Sequence, residues 1–550
     1  MNLVTLSIGG NDVGFSSILI ACVFNPLGSC TTNIANARTT MYQGTLYDNY
    51  FAMINLMITD LNWCPPGGTG RSRTEDCFTI LYQTAYPSFF ESYTPQCNKV
   101  KFFPFVGNYV TQSLRADLNQ LGQELNALLA YYVANINQQM RGDRETFADF
   151  MVFADQGERF AGHRFCRADV TEPDLNNVDT WFFNYGSNAD TATTVFGASL
   201  ATGPASDYTA TDPNSCATTN DMGDQLSCAI SQMVSAGTLP GSDQVIAYTA
   251  PEDRTKTFHP NTNGFGAVSA EVQQRLGYVS AITEGRGCPS ANNLNLRIVG
   301  IGDSITWGYR SDSGGGYFYP LNDDLGSAEA QGCAGNTWSF IGSQVSGAFR
   351  SEGYPGQTVS QIQASVQASG TLAERPNMIL LMAGTNDINQ GADPLATAET
   401  LSTTIDYLFA QCPDAVILVQ HIPPIGYQEF ERIMSAVMQN VTIYNAAISA
   451  MVDTRIAQGQ HISKVYGTTT TFDHYVEDTL HPNDIGYDLI GDAWLERITV
   501  VDQLGWINPP DIVSGTKIQC ASGLWWDPQG QVATGAGLGA NLYLGITCTD

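Results

Sequence analysis

The 550-residue chain lacks any uninterrupted run of about 18 apolar residues, the length that a membrane-crossing helix needs. The candidate stretch FSSILIACVF is too short and is interrupted by serines. Basic residues are scarce: 24 Lys and Arg stand against 53 Asp and Glu, for a net charge of −29. That balance repels phosphate backbones and anionic lipid, which argues against nucleic acid as a partner. Histidine is scarcer still, with six in all, and none of the 13 cysteines falls in a CxxC pair. A zinc site of ordinary spacing is therefore not expected, and no DxDxDG-like calcium loop is present. No metal and no cofactor are assigned. The basic, then apolar, then small-residue pattern of a secretory signal is also missing, since Met1 is followed at once by NLVTLSIGG.

What is present describes a folded protein, with 43% hydrophobic and 14% charged residues. Its length suggests about two to four domains. The scattered cysteines read as a disulfide framework, which implies an oxidising compartment. The sequon Asn440-Val441-Thr442 points the same way, and the odd cysteine count favours a missing piece of the chain. We therefore expect a secreted protein whose signal peptide is absent through N-terminal truncation.

From about residue 295 short apolar runs alternate with longer amphipathic segments. RIVGIGD, WSFIGS, NMILLMAG, AVILVQHI and ISKVYGT are strand candidates. Between them SQIQASVQASGTLAER, PLATAETLSTTIDYLFAQ and QEFERIMSAVMQNVTIYNAAISAMVDTRI carry helix-period apolar positions. This alternation specifies an α/β fold with a mainly parallel sheet covered on both faces. The first half has the same grammar in LVTLSIGG, FTILYQTA and FADFMVFA, and a helix placing Leu114, Leu118, Leu121, Leu125, Leu128 and Leu129 along one face. Polar, turn-rich residues 283–295 separate the halves, giving domains at 1–282 and 296–505 and a Gly/Trp-containing tail at 506–550.

Four blocks in the second half carry chemistry. IVGIGDSITWGY puts Ser304 just past a strand, at the carboxyl edge where open α/β sheets place their sites. EDTLHPNDIGY supplies Asp478 and His481, a carboxylate to orient an imidazole and an imidazole to deprotonate the serine. Oxyanion donors are the Ser304 N–H, the N–H of Gly356 in EGYPGQTV and the amide of Asn386 in MAGTNDI. Blander readings stand beside these: Ser304 as a helix cap, His474 as a surface residue, His421 as either a pocket-lining group or a structural hydrogen bond. Asp303 reads as fixing the turn, and Gly353 competes with Gly356 for the oxyanion role.

These ordered blocks, over roughly 296–504, resemble the SGNH hydrolase superfamily, also called GDSL esterases and lipases. The resemblance implies a Ser304, His481 and Asp478 triad, with Gly356 and Asn386 in the oxyanion hole. GDSITWGY, EGYPGQTVSQI and LMAGTND look most like carbohydrate esterase family three, which includes acetyl xylan esterases, although Ser351 stands where that family usually has histidine. The implied substrate is a short-chain, acetyl ester on a polysaccharide. A long-chain lipase or phospholipase and a non-catalytic polysaccharide-binding protein are the alternatives.

In the first half, TLSIGGNDVGF, RFAGHRFC, WFFN and TFHPNTNGFGAVS resemble the secreted actinobacterial branch of the same superfamily. The carry-over gives Asn11 for the oxyanion and His259 for the base. Position 256 is lysine, so no DxxH carboxylate exists, and no GDS occurs before Ser304. The expected fold is thus two tandem three-layer α/β/α units of flavodoxin-like type, the first lacking its initial strands and nucleophile, plus the tail. In the tail, Cys520 and Cys548 are candidates for one bridge, and Trp525 and Trp526 for sugar stacking or burial.

Overall fold

A computed structural model describes residues 3–24, 28–60, 80–91, 93–102, 107–141, 151–174, 177–183, 258–284, 294–312, 314–330, 337–426, 434–466, 476 and 478–510. Two-residue strands at 194–195, 198–199, 518–519, 525–526, 542–543 and 546–547 are described as well. The expectations for His474, Lys256 and the Cys520–Cys548 bridge, and for the side chains of Trp525 and Trp526, lie outside the described residues. The chain divides into two compact units, residues 1–129 with 152–273, and 130–151 with 274–550.

The first unit is built on a three-stranded sheet in the order Leu3–Leu6, Ile80–Thr84, Met151–Ala154, with the first two strands parallel. Helices Cys30–Tyr42 and Thr45–Asp60 follow the first strand. Glu124 is fully buried and holds Arg38 through two contacts of 2.7 and 2.9 Å while also accepting from the Tyr42 hydroxyl. A buried charge persists only when so paired. Phe102 meets Phe90, Phe165 and Phe258 edge to face while Phe165 and Phe258 meet at a tilt, and Cys97 is bonded to Cys166 beside them. Cys22 is bonded to Cys30, and Cys412 in the second unit is a free, buried thiol.

In the second unit a seven-stranded sheet runs Ile462–Val465, Val416–Gln420, Met378–Met382, Asn295–Gly302, Phe349–Gly353, Gln344–Ser346, and Thr337–Ile341 also pairs with Asn295–Gly302. All pairs are parallel except the hairpin of Gln344–Ser346 with Phe349–Gly353. Alternate residues face opposite layers. Val299, Ile301, Ile379, Leu381, Ile417 and Val419 pack on helices Val359–Ser369, Pro394–Gln411 and Ala436–Ala457. Leu296, Ile298, Met378, Leu380, Val416 and Leu418 pack on Phe318–Ala330 and Asp484–Gln503. Burial on both faces explains why these strands read as continuous apolar runs.

All five strand candidates of this half are strands. The hairpin was not expected, because QVSGAFRSEG is polar and its strands are short. It matters here, since Phe349–Gly353 pairs with the end of Asn295–Gly302 and leads directly to Gly356. Beyond the helix ending at Gln503, Trp506 stacks on His461 at 5.2 Å and the Asn508 carbonyl accepts from Asn377.

Candidate active site

The central strand Asn295–Gly302 ends at Asp303, whose Oδ1 accepts the Ile305 N–H at 3.0 Å and caps the short helix Ser304–Trp307. The cap fixes where Ser304 sits. Asp303 is fully buried, and burial pushes its carboxyl up to about 6 against the opposing N–H of Ile305. The neighbouring strand Met378–Met382 leads to Asn386, so serine and asparagine occupy adjacent strand ends where the strand order reverses.

His481 arrives from the far end of the unit. The Val476 N–H donates to the His481 carbonyl at 3.0 Å, and the Thr479 N–H to the Val476 carbonyl at 3.0 Å. Asp478 Oδ1 accepts the N–H groups of Leu480 and His481 at 3.0 and 2.9 Å. Its Oδ2 lies 2.8 Å from His481 Nδ1, and His481 Nε2 lies 2.9 Å from Ser304 Oγ. Burial tends to raise the Asp478 carboxyl, but the donors from His481 and Leu480 outweigh it, and its pKa lies below the usual value. An ionised Asp478 can only accept, so Nδ1 carries a proton, and in the neutral imidazole the Nε2 lone pair then faces the serine hydroxyl. Asn483, two residues on, caps the Asp484–Gln503 helix by accepting from Gly486 at 3.0 Å. HPND is therefore an imidazole placed just ahead of a helix start.

Asn386 lies at the start of the Thr385–Asn389 helix and donates from Nδ2 to the Gln357 carbonyl at 2.9 Å, leaving its second amide hydrogen for another acceptor. Asp387 Oδ2 accepts the Val359 N–H at 3.0 Å, so residues 386 and 387 together hold the 356–358 loop. Gly356 is exposed at φ 79°, with open space where a side chain would go. Gly353 is different: a Cβ there would sit 2.5 Å from the Trp307 nitrogen, so close packing against the Ser304 helix accounts for that glycine. Ser351 is buried and accepts from the Gly353 N–H at 3.2 Å. His421 is buried and paired with Ser449 at 2.8 Å, the structural alternative of the two considered.

The structure thus brings together Ser304, His481 and Asp478, and ties Asn386 to the loop carrying Gly356. Tyr309 and Arg310 were missed. The Tyr309 ring lies 4.7 Å from the His481 ring, and Arg310 Nε lies 4.0 Å from Asp478 Oδ2. Tyr309 is inside the quoted GDSITWGY block, but nothing local signals that it meets residue 481. Among first-unit residues, Asn11 and His259 are both exposed, and the His259 ring meets Phe15 edge-on at 6.2 Å. Among the described residues no group of three or more His, Cys, Asp or Glu is placed to hold a metal ion. No helix among them is long and apolar enough to cross a membrane. The Asn440 sequon lies inside a helix with Thr442 buried, so it is not an exposed acceptor loop.

A serine, an imidazole and a carboxylate are thus joined in one row at the carboxyl edge of a parallel sheet. Residues 301–489 match the GDSL-like Lipase/Acylhydrolase family, and this C-terminal part of the chain is a domain of that family. The match does not extend into the N-terminal half. A multidomain esterase of Ruminococcus flavefaciens is 26% identical over 237 residues, 38% of this chain and 30% of that protein, so less than a third of that relative is spanned. Among solved structures, a family 3 carbohydrate esterase of Clostridium thermocellum is 28% identical, covering 38% of this chain and 98% of its own, with a TM-score of 0.32. An acetylxylan esterase of Geobacillus stearothermophilus is 16% identical, covering 39% and 98%, with a TM-score of 0.29.

Proposed function

We propose that the second unit hydrolyses carboxylic esters, with Ser304 as nucleophile, and that its substrates are short-chain, acetyl esters on a carbohydrate. One observation carries the reading: the unbroken row from Asp478 through His481 to Ser304, at 2.8 and 2.9 Å. Ser304 Oγ attacks the ester carbonyl while its proton passes to His481 Nε2. The tetrahedral oxyanion is held by the Ser304 and Gly356 N–H groups and the free amide hydrogen of Asn386. Collapse expels the alcohol, which takes the proton from Nε2. Water then attacks the acyl-serine, gives its proton to Nε2, and leaves as the carboxylic acid while that proton returns to Ser304. Asp478 holds the imidazole in one tautomer throughout. Every proton in these steps moves among ester, water and side chains.

The acetyl and carbohydrate parts rest on the GDSITWGY and EGYPGQTVSQI blocks, and the esterase activity is supported by the Ruminococcus relative's name. We also read residues 1–282 and 296–505 as two domains of one kind, the first without a nucleophile, in a secreted protein. A fluorophosphonate probe tests the central claim. It should label wild type at Ser304 and leave Ser304→Ala unlabelled; labelling that survives in Ser304→Ala refutes it. Rates on acetyl against long-chain nitrophenyl esters separate this reading from a lipase, which would favour the long chains.

A further inference from the structure

The guanidinium of Arg310 stands beside the Asp478–His481 pair without a task in it. Asp478 already has three donors, from the N–H groups of Leu480 and His481 and the imidazole Nδ1. Arg310 Nε reaches the same carboxylate only at 4.0 Å, from a side chain that is 55% exposed. Its other contact is with the Tyr309 ring, 5.4 Å from the guanidinium carbon. A pair so long and so open to water contributes little to stability.

The backbone nevertheless holds this arginine in a fixed place. The Tyr309 N–H donates to the Ser304 carbonyl at 2.9 Å, and the Tyr309 carbonyl accepts from the buried Tyr487 hydroxyl at 2.7 Å. Arg310 itself sits at φ 72°, one of five non-glycine residues described with a positive φ. A side chain in that region costs free energy, and such outliers gather where a group must be aimed. A cation is also uncommon on this chain, with its 24 basic and 53 acidic residues, and Asp312 and Asp484 lie close by in the same loop contact. These surroundings offer no broad attraction for anions, so any anion held here would be held by Arg310 itself.

We propose that Arg310 binds a carboxylate on the alcohol portion of the substrate, so that the preferred esters lie on an acidic oligosaccharide bearing uronic-acid groups. The inference rests on the esterase reading above and names its substrate class. The outward N–H groups of the guanidinium offer the planar fork that pairs with a carboxylate, and they stand two side chains from the serine that takes the acyl group. The ester carbonyl would lie at Ser304 while the charged group on the sugar reaches the rim. Lysine would keep the charge but lose the fork.

The test compares an acetylated acidic oligosaccharide with the same molecule after its carboxylates are capped as amides. Binding of both to Ser304→Ala and to Ser304→Ala/Arg310→Gln is measured by calorimetry, and turnover of both by Arg310→Gln and Arg310→Lys. We expect a preference for the acidic form of about ten-fold, abolished in Arg310→Gln and partly kept in Arg310→Lys. The preference, not the absolute rate, is the readout, because a merely structural arginine would lower both substrates together. No preference in the parent protein, or one that survives Arg310→Gln, overturns the proposal. Turnover of nitrophenyl acetate and its dependence on Ser304 report separately on the esterase reading, while the binding comparison remains decisive for Arg310 whether or not turnover is seen.

Discussion

The two units carry the same short turn and surround it differently. Gly9-Gly10-Asn11-Asp12 and Gly384-Thr385-Asn386-Asp387 each follow a strand, half-exposed in the first case and fully buried in the second, and the leading glycines adopt φ 111° and 113°. Each turn opens into a short helix, Phe15–Leu19 or Thr385–Asn389. There the likeness stops. Asn11 is exposed, and Asp12 bonds an exposed Asn49 at 2.8 Å. Asn386 is nearly buried and Asp387 half-buried, and both are bonded to the 357–359 backbone. The strand Phe349–Gly353 brings that backbone in, and the strand Asn295–Gly302 places Ser304 beside it. A local motif sets the turn; neighbouring strands make it a site.

The largest expected contrast is at the base. Asp478→Asn should lower kcat about 10³- to 10⁴-fold on nitrophenyl acetate, since the amide stabilises the wrong imidazole tautomer. His259→Asn should leave Ser304 labelled by the probe at the parental rate; slowed labelling would show that the first unit takes part. Next comes the turn itself. Asn386→Ala should reduce kcat about 10²- to 10³-fold with little change in KM, whereas Asn11→Ala, in the unit without a nucleophile block, should alter turnover by less than about two-fold. Equal losses in the two variants would erase the distinction drawn between the units.

The smallest effect concerns Asp303, which has no counterpart in the first unit. Its folded pKa, about 6, lies above that of an unfolded aspartate. The native state therefore binds the extra proton between roughly pH 4 and 6. The associated stability is present below that window and is lost as pH rises through about 6. Asn caps helices as well as Asp does, so Asp303→Asn should abolish this loss. Relative to the parent, the variant should gain up to about 2 kcal/mol between pH 4.5 and 7.5 in urea unfolding. An identical difference at both pH values would remove this burial cost from the account.

Much of the second unit could be read from sequence because its strands are buried on both faces. Val299, Ile301, Ile379 and Leu381 alternate with Ile298, Met378 and Leu380, so both sheet faces are apolar and the runs stand out. The helix at Pro394–Gln411 carries its own start signal, Asp393 accepting from Ala396 ahead of a proline. What escaped notice depends on long-range pairing. Arg350 and Glu352 look like surface residues, yet their strand borders the central one. Tyr309 meets His481 only through the tertiary fold. In the first unit Leu118, Leu121 and Leu125 are buried, as the helical period suggests, but the helices at Cys30–Tyr42, capped by Ser29, and Thr45–Asp60 have mixed faces.

Ser304 and His481 are 177 positions apart in the chain, one leaving the middle strand and the other entering the last helix of the unit. No fragment short of nearly the whole unit could hold them at bonding distance. Probe reactivity at that hydroxyl therefore doubles as a gauge of assembly: it should switch on late in refolding and vanish with the first loosening of the closing helix. Any cut between the two would silence the chemistry unless the pieces stayed clasped.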